Sequence, residues 1–226
     1  MSAELELVSW RRLVSELYAA VRAEDDPQAG HELWRRGRDE LFRTHPQSPL
    51  PPGDPLRGTG LPYWPYDPAL RWELPVLPAE REESRSVPSS DGTIPLVLVG
   101  SVRLPAPLDA AIDVWWLRQY GGGLFLPLRD GTAGTSSYGG GRYALDTAKG
   151  ADLGGALGSA SGSALGGGAP GGGALGGGAF GGGAGTLVVD LNFLYHPSCR
   201  YNHAWQCPLA PAGNTITTPV TAGERM

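Results

Sequence analysis

The hydrophobic period changes once along this chain, and that change limits the fold more than any other feature. Up to residue 43, apolar residues recur three and four apart. Trp10, Leu13, Val14, Leu17, Tyr18 and Val21 form one stripe, which predicts a helix over 4–24. Asp25-Asp26-Pro27 stops it, and Leu33, Trp34, Leu41 and Phe42 predict a second helix over 31–43. The other face of that helix, Arg35, Arg36, Arg38, Asp39 and Glu40, is expected to be solvated. The prolines of 45–52 exclude further helix, because each removes a backbone donor and holds its predecessor extended. From Leu74 onward the period is two. Strands are expected at 73–77, 96–104, 112–120, 123–129, 142–147 and 186–193. Turns at Ser90-Asp91-Gly92, Pro105-Ala106-Pro107, Gly121-Gly122-Gly123 and Asp130-Gly131-Thr132 separate them. Short strands with no helix between them predict a mainly β fold. It would be an antiparallel barrel or curled sheet preceded by two N-terminal helices. Pro127, inside a strand pattern, marks an edge or a bulge.

Glycine supplies 35 of the 226 residues, and repeated Gly-Gly-Gly-Ala units concentrate it in 154–185. Ordering such a segment costs maximal backbone entropy and buries little. It is expected to be a flexible Gly/Ala-rich inserted loop with no chemistry of its own. The cost of closing it grows only with the logarithm of its length, so the flanking strands can still pair. The chain is therefore expected to be one domain, 1–226. Its parts are a helical segment at 1–45, a β core at 60–153 and 186–226, and the insertion at 154–185.

Net charge is −5, from 18 basic and 23 acidic residues, with no positive cluster, which argues against a nucleic-acid footprint. No apolar run reaches the roughly 18 residues of a spanning helix, so no membrane partner is expected. Glu4, Glu6, Arg11 and Arg12 interrupt the N-terminus where a secretory signal would be apolar. A cytoplasmic location is the default expectation. Cys199 and Cys207 are then expected to be thiols or metal ligands rather than a disulfide.

Alternation along a strand places Arg142, Ala144 and Asp146 on one face, with Tyr143 and Leu145 opposite. Val188, Asp190 and Asn192 likewise oppose the wholly apolar Val189, Leu191 and Phe193. If the two strands pair across the insertion, Arg142, Asp146, Asp190 and Asn192 converge. A buried polar cluster is costly unless its members are paired, so convergence would mark a site. The other outcome is that this face meets water. Beside it lies Tyr138-Gly139-Gly140-Gly141-Arg142-Tyr143, whose glycines allow positive φ and an anion-holding nest of N–H groups. It matches neither a Rossmann nor a P-loop pattern.

These residues suggest a polar pocket for a small anionic ligand. Arg129 and Arg142 would orient the anion, and Gly139, Gly140, Gly141, Tyr143, Asn192 and Tyr195 would complete the binding set. In an enzyme, Asp146 or Asp190 would be the general base and Tyr138 a hydrogen-bond donor. Without a base, the same groups make a binding domain. The alternative is a structural or protein-interaction domain without catalysis. Its contact would be the Arg35-Arg36-Arg38 face or the Tyr63-Trp64-Tyr66 loop, although packing is the first expectation for those aromatics. Cys199, His203 and Cys207 are spaced by four, with His196 ahead of them. Zinc sites use tighter cysteine pairs, so two buried structural thiols are expected there and no metal. The sequence names no cofactor.

Several of these runs resemble one family. HPQSPL (45–50), GLPYWPYDPALR (60–71), YGGGLFLPLRD (120–130), YGGGRYALD (138–146), LNFLYHPSCRYNHAWQCPLAPAGN (191–214) and PVTAGER (219–225) are similar to an uncharacterised bacterial and archaeal family. That family is catalogued as domain of unknown function sixteen eighty-four. The resemblance implies a single domain of about this extent, with the tyrosine–glycine–arginine and cysteine segments in one site. It implies no activity. The family pattern places a Glu-Thr pair where Ser136 and Ser137 stand; if that acid were catalytic, this member would be impaired. His203 and the long glycine insertion also lie outside the pattern.

Overall fold

The computed structural model describes residues 2–89, 92–119, 121–157 and 185–226. Most of the expected glycine-rich insertion, 158–184, lies outside the described residues. Helix α1 (Ala3–Arg22) and helix α2 (Pro27–Thr44) pack as a pair. The second begins four residues earlier than expected. Pro27 sits in its first turn, where a missing N–H costs nothing, and Asp26 caps it by accepting from the Gln28 N–H at 3.0 Å. His31, Trp34, Leu41 and Phe42 face inward, and the Trp34 indole donates to the Tyr18 hydroxyl across the pair at 3.0 Å. Gly37 lets the helices approach, because a Cβ there would lie 2.5 Å from the Leu17 side chain. No helix of the described residues is long and apolar enough to cross a membrane.

The strands form two antiparallel sheets. Strand β1 (Arg71–Pro75) pairs with β8 (Thr186–Asp190), placing Arg71 opposite Asp190. The larger sheet holds β2 (Leu77–Pro78), β3 (Ser84–Ser89), β4 (Gly92–Leu104), β5 (Ala110–Leu117), β6 (Gly123–Leu128) and β7 (Arg142–Asp146). Its order is β2-β4-β5-β6-β7, with β3 also on β4. Among the described residues the strands form no closed barrel. The fold is mainly antiparallel sheet with N-terminal helices.

Two expectations about strand pairing are corrected. β7 does not pair with β8 across the insertion; β8 pairs with β1, and β7 bridges to Tyr195 through reciprocal backbone bonds at 2.9 and 3.1 Å. β8 also stops at Asp190 rather than continuing to 193. The Asp190 carboxylate accepts from the Asn192 N–H at 2.9 Å, which turns the chain into a single tight helical turn over Leu191–Phe193.

Pro127 sits at a register shift between β6 and β7. Asn214 serves that irregular stretch. Its amide donates to the carbonyls of Pro127 (2.9 Å) and Asp113 (2.7 Å), and its oxygen accepts from the Trp115 indole at 2.7 Å. One apolar cluster lies between the sheets, with Val102, Ile112, Leu126, Val189 and Leu191 among its members. A second joins the helices to Tyr63 and Phe193. A third, Leu96, Trp115, Phe125 and Tyr143, covers the other side of the larger sheet. β7 is consequently buried on both faces.

A second register shift, between Leu98 and Gly100, lets β2 cross β4 closely. A Cβ on Gly100 would stand 2.4 Å from the Leu77 carbonyl oxygen, a backbone atom with little room to yield. Gly100→Ala is expected to destabilise the protein by about 1–3 kcal/mol in urea unfolding. An unchanged midpoint would show that β2 can lift away freely.

Candidate functional site

Arg142 was expected to meet a ligand, but the structure encloses it. One terminal nitrogen donates to the carbonyls of Ala222 and, at 3.0 Å, Glu224. The other donates to Val220 at 2.9 Å and to the Asp130 carboxylate at 2.8 Å. The Trp64 ring lies 5.0 Å from its guanidinium carbon. Burial alone would raise Asp130, but the Arg142 charge and hydrogen bond outweigh it and hold that carboxyl below its ordinary value. Arg142 thus fastens the C-terminal segment through its two terminal nitrogens, while its buried Nε has no partner among the described residues.

The neighbouring candidates divide in the same way. Asp146 is buried and ion-paired with Lys149 at 2.7 Å. Tyr143 donates its hydroxyl to the Pro208 carbonyl inside the core. Arg129 is exposed, and its Nε donates to the Gly139 carbonyl at 2.9 Å. Gly139, Gly140 and Gly141 form a turn closed by the Gly141 N–H on the Tyr138 carbonyl at 2.9 Å. Gly141 requires glycine there, with φ +91° and the Leu128 carbonyl 2.8 Å from any added Cβ. Tyr195 lies under the Arg38 guanidinium, 4.9 Å away. The structure does bring Tyr138 to the cysteine segment: its N–H donates to His196 Nε2 at 3.1 Å, and its hydroxyl lies 3.9 Å from Cys199 Sγ.

The expected partner-contact surfaces are partly withdrawn, with Arg36 still exposed. Arg38 is not solvated but stacked between Trp34, Phe42 and Tyr195, and it donates to Glu224 Oε2 at 3.0 Å. Tyr63 is buried and accepts from Arg38 at 3.3 Å.

Asp190 and Asn192 are brought together, and Asn192 is saturated. Its amide donates to the Asp67 carbonyl and to Asp190 Oδ1, both at 2.8 Å, and its oxygen accepts from the Asp67 N–H. Asp190 differs. It is 1% exposed, and its Oδ2 has no hydrogen-bond partner among the described residues; the nearest cation is Arg71 Nε at 3.7 Å. Burial raises its pKa to about 6, against the opposing pull of Asn192, Arg71 and the nearby Tyr66 hydroxyl. Asp190 borders a cleft of about 110 Å³ between the helical pair and the β1–β8 sheet. Val21, Arg22, Gly30, Arg71, Val188 and Phe193 also line it, with Glu24 and Asp25 on the same wall. His31, the residue after Gly30, is buried against Tyr66 and Phe193, and burial and Arg35 together lower its pKa to about 4.

Sequence reasoning found Asp190 but missed Arg71, Arg22 and the Gly30 wall. Only the β1–β8 register and the helix packing bring them near it. The raised pKa has a signed consequence. The folded state holds the Asp190 proton more tightly than the unfolded chain does. This residue's contribution is therefore greatest at low pH and is lost as pH rises from about 4 through about 6. Relative to the parent, Asp190→Asn should gain about 3 kcal/mol of stability across that window. Denaturant melts at a series of pH values check this, and a pH-independent difference would refute it.

A buried carboxylate at the lip of a small cleft, roofed by two helices, marks a polar recess in a sheet-rich domain. The chain belongs to the family described as protein of unknown function (DUF1684), whose model matches residues 58–160 and 175–225. That match takes in Arg71, Val188 and Asp190 but not the helices that form the opposite wall. The chain is also similar to the solution NMR structure of an uncharacterised protein from gene locus rrnAC0354 of Haloarcula marismortui. The identity is 30%, covering 85% of this chain and 90% of that one, with a TM-score of 0.54. A search of functionally curated proteins gave no match.

Proposed function

We propose that this domain binds a small carboxylate that also carries a hydrogen-bond donor, an amino or hydroxy acid, in the Asp190 cleft. The observation that carries this reading is that Asp190, a residue lining the cleft, has a buried Oδ2 without a hydrogen-bond partner among the described residues. An acceptor left without a donor in a protein interior is costly, and a ligand ammonium or hydroxyl would relieve it. The anionic end would meet Arg71, which is 38% exposed, and the positive end of α2 near Gly30. The cleft volume of about 110 Å³ suits a ligand well below drug size. The anion is thus assigned to Arg71 rather than to the enclosed Arg142 or the distant Arg129. Since ionised Asp190 is the stronger acceptor and attracts an ammonium, binding should weaken as pH falls through about 6.

Thermal shift with glycine, alanine, serine and lactate tests the reading. At a hundredfold excess over Kd a ligand adds about 2.7 kcal/mol of stability, enough to move the melting midpoint by several degrees. The shift should appear at pH 7.5, shrink at pH 5, and vanish in Asp190→Asn and Arg71→Gln. No shift with any of the four, or a shift that both variants retain, would sink it.

A second reading, a protein-interaction domain, is favoured by exposed apolar side chains on α1. Leu5, Leu7, Val8 and Leu13 are each at least 40% exposed there. Concentration-independent monomer mass together with no change on Leu5→Glu/Val8→Glu would exclude self-association through it.

A further inference from the structure

We propose that Cys199 and Cys207 form a two-electron redox pair that exchanges with low-molecular-weight disulfides bearing carboxylates, Cys199 attacking first and Cys207 resolving. The pair stands apart from the Asp190 cleft, and its test is independent of that site. Geometry carries the inference. Cys199 lies in the single turn Ser198–Arg200, and its N–H donates to Cys207 Sγ at 3.4 Å, so the two residues are already apposed. Each lies beside a tyrosine contact, half-buried Tyr138 for Cys199 and core Tyr143 next to Cys207. Tyr138 Oη is 3.9 Å from Cys199 Sγ, and the Tyr138 N–H is anchored on His196, whose own N–H is held by Glu224 Oε2 at 2.9 Å. Tyr143 grips the Pro208 carbonyl immediately after Cys207. Both thiols are free and half-buried. The chain between them is exposed over 203–206, including Trp205, so a disulfide reagent can reach them.

The expectation of two buried structural thiols is corrected on burial, because both are half-buried. Among the described residues no group of three or more histidine, cysteine or acidic side chains is arranged to hold a metal. The local field suits an attacking thiolate. The Cys207 thiol, then the Tyr138 hydroxyl, the backbone and His203 lower the Cys199 pKa to about 6 against the effect of burial, while Cys207 is pushed up. Arg200 lies by Tyr138, and its guanidinium favours carboxylate-bearing reagents; Lys149, by Cys207, is neutralised by Asp146.

The chemistry closes on itself. The Cys199 thiolate attacks one sulfur of R–S–S–R, forming Cys199–S–S–R and releasing RS⁻. Cys207 gives up its proton, which RS⁻ takes, and its thiolate attacks Cys199 Sγ, releasing the second RS⁻, which takes up the proton lost from Cys199. The protein loses two electrons and two protons, and one disulfide becomes two thiols.

The test uses the full chain in glutathione buffers of graded oxidation, with acid quench, alkylation and intact mass. The folded protein should lose both alkylatable thiols together and gain no adduct. Cys207→Ser should trap one glutathione on Cys199. Cys199→Ser should react at least about tenfold more slowly at pH 7. Tyr138→Phe should shift the pH midpoint of Cys199 alkylation upward while both thiols still oxidise. Two free thiols persisting in pure glutathione disulfide, or equal rates for the two serine variants, would overturn the proposal. Circular dichroism on each variant confirms that the comparison is between folded proteins.

Discussion

Replacing Arg142 with alanine is expected to lower stability by about 3–5 kcal/mol, enough to leave much of the protein unfolded at moderate temperature. The side chain is fully buried, and one guanidinium fastens Val220, Ala222 and Glu224 to β7 while neutralising Asp130. Alanine orphans three buried carbonyls and leaves the Asp130 carboxylate charged without its partner. Asp130 still has hydrogen bonds from the N–H of Thr132 (2.8 Å) and Val220 (3.0 Å), so the site does not lose every contact. The double variant Arg142→Met/Asp130→Asn removes the charge with its partner and should recover part of the loss. Urea unfolding of the parent, Arg142→Met, Asp130→Asn and the double variant measures the coupling. If both single changes cost less than about 1 kcal/mol, the clamp would be decorative.

Glu224→Ala is expected to cost a similar amount, about 3–5 kcal/mol, although it lies two residues from the end of the sequence. Its carboxylate is fully buried and accepts from the Arg38 guanidinium and the His196 N–H. Without it, Arg38 keeps its charge among three aromatic rings with only the Tyr63 hydroxyl to accept from it. Cation–π attraction offsets a fraction of that loss. Glu224→Gln keeps one acceptor and should cost less than alanine. Burial raises the Glu224 pKa, and His196 and Arg38 more than reverse it. Its contribution is therefore present above the ordinary carboxylate range and lost as pH falls below it. Parent and Glu224→Ala should converge in stability under acid; a gap that stays constant with pH would contradict the ion-pair account.

The two helices were legible because their burial follows spacing alone: Tyr18, Val21, Trp34, Leu41 and Phe42 all lie on the predicted stripes. The alternating strands were legible for the same reason. Ser84–Ser89 was not, because an edge strand built from serine, arginine and proline shows no apolar alternation. The inference from alternation failed in β7, where both faces are buried and polarity no longer reports on solvent. What neutralises Arg142 and Arg38 comes from Asp130 and from 220–224, and local sequence does not show which distant carbonyls will fold over a strand. Asp190 and Asn192 stood out because their polar side chains interrupt an apolar run. Arg71 and Gly30, more than a hundred residues away, carried no such mark.

The central claim is a ligand site at Asp190, and an amide NMR titration of the isotopically labelled protein with L-serine tests it most directly. The account predicts saturable shifts concentrated at Gly30, Arg71, Val188 and Asp190, abolished in Asp190→Asn. Shifts absent at saturating serine, or centred on the 138–142 turn instead, would contradict it.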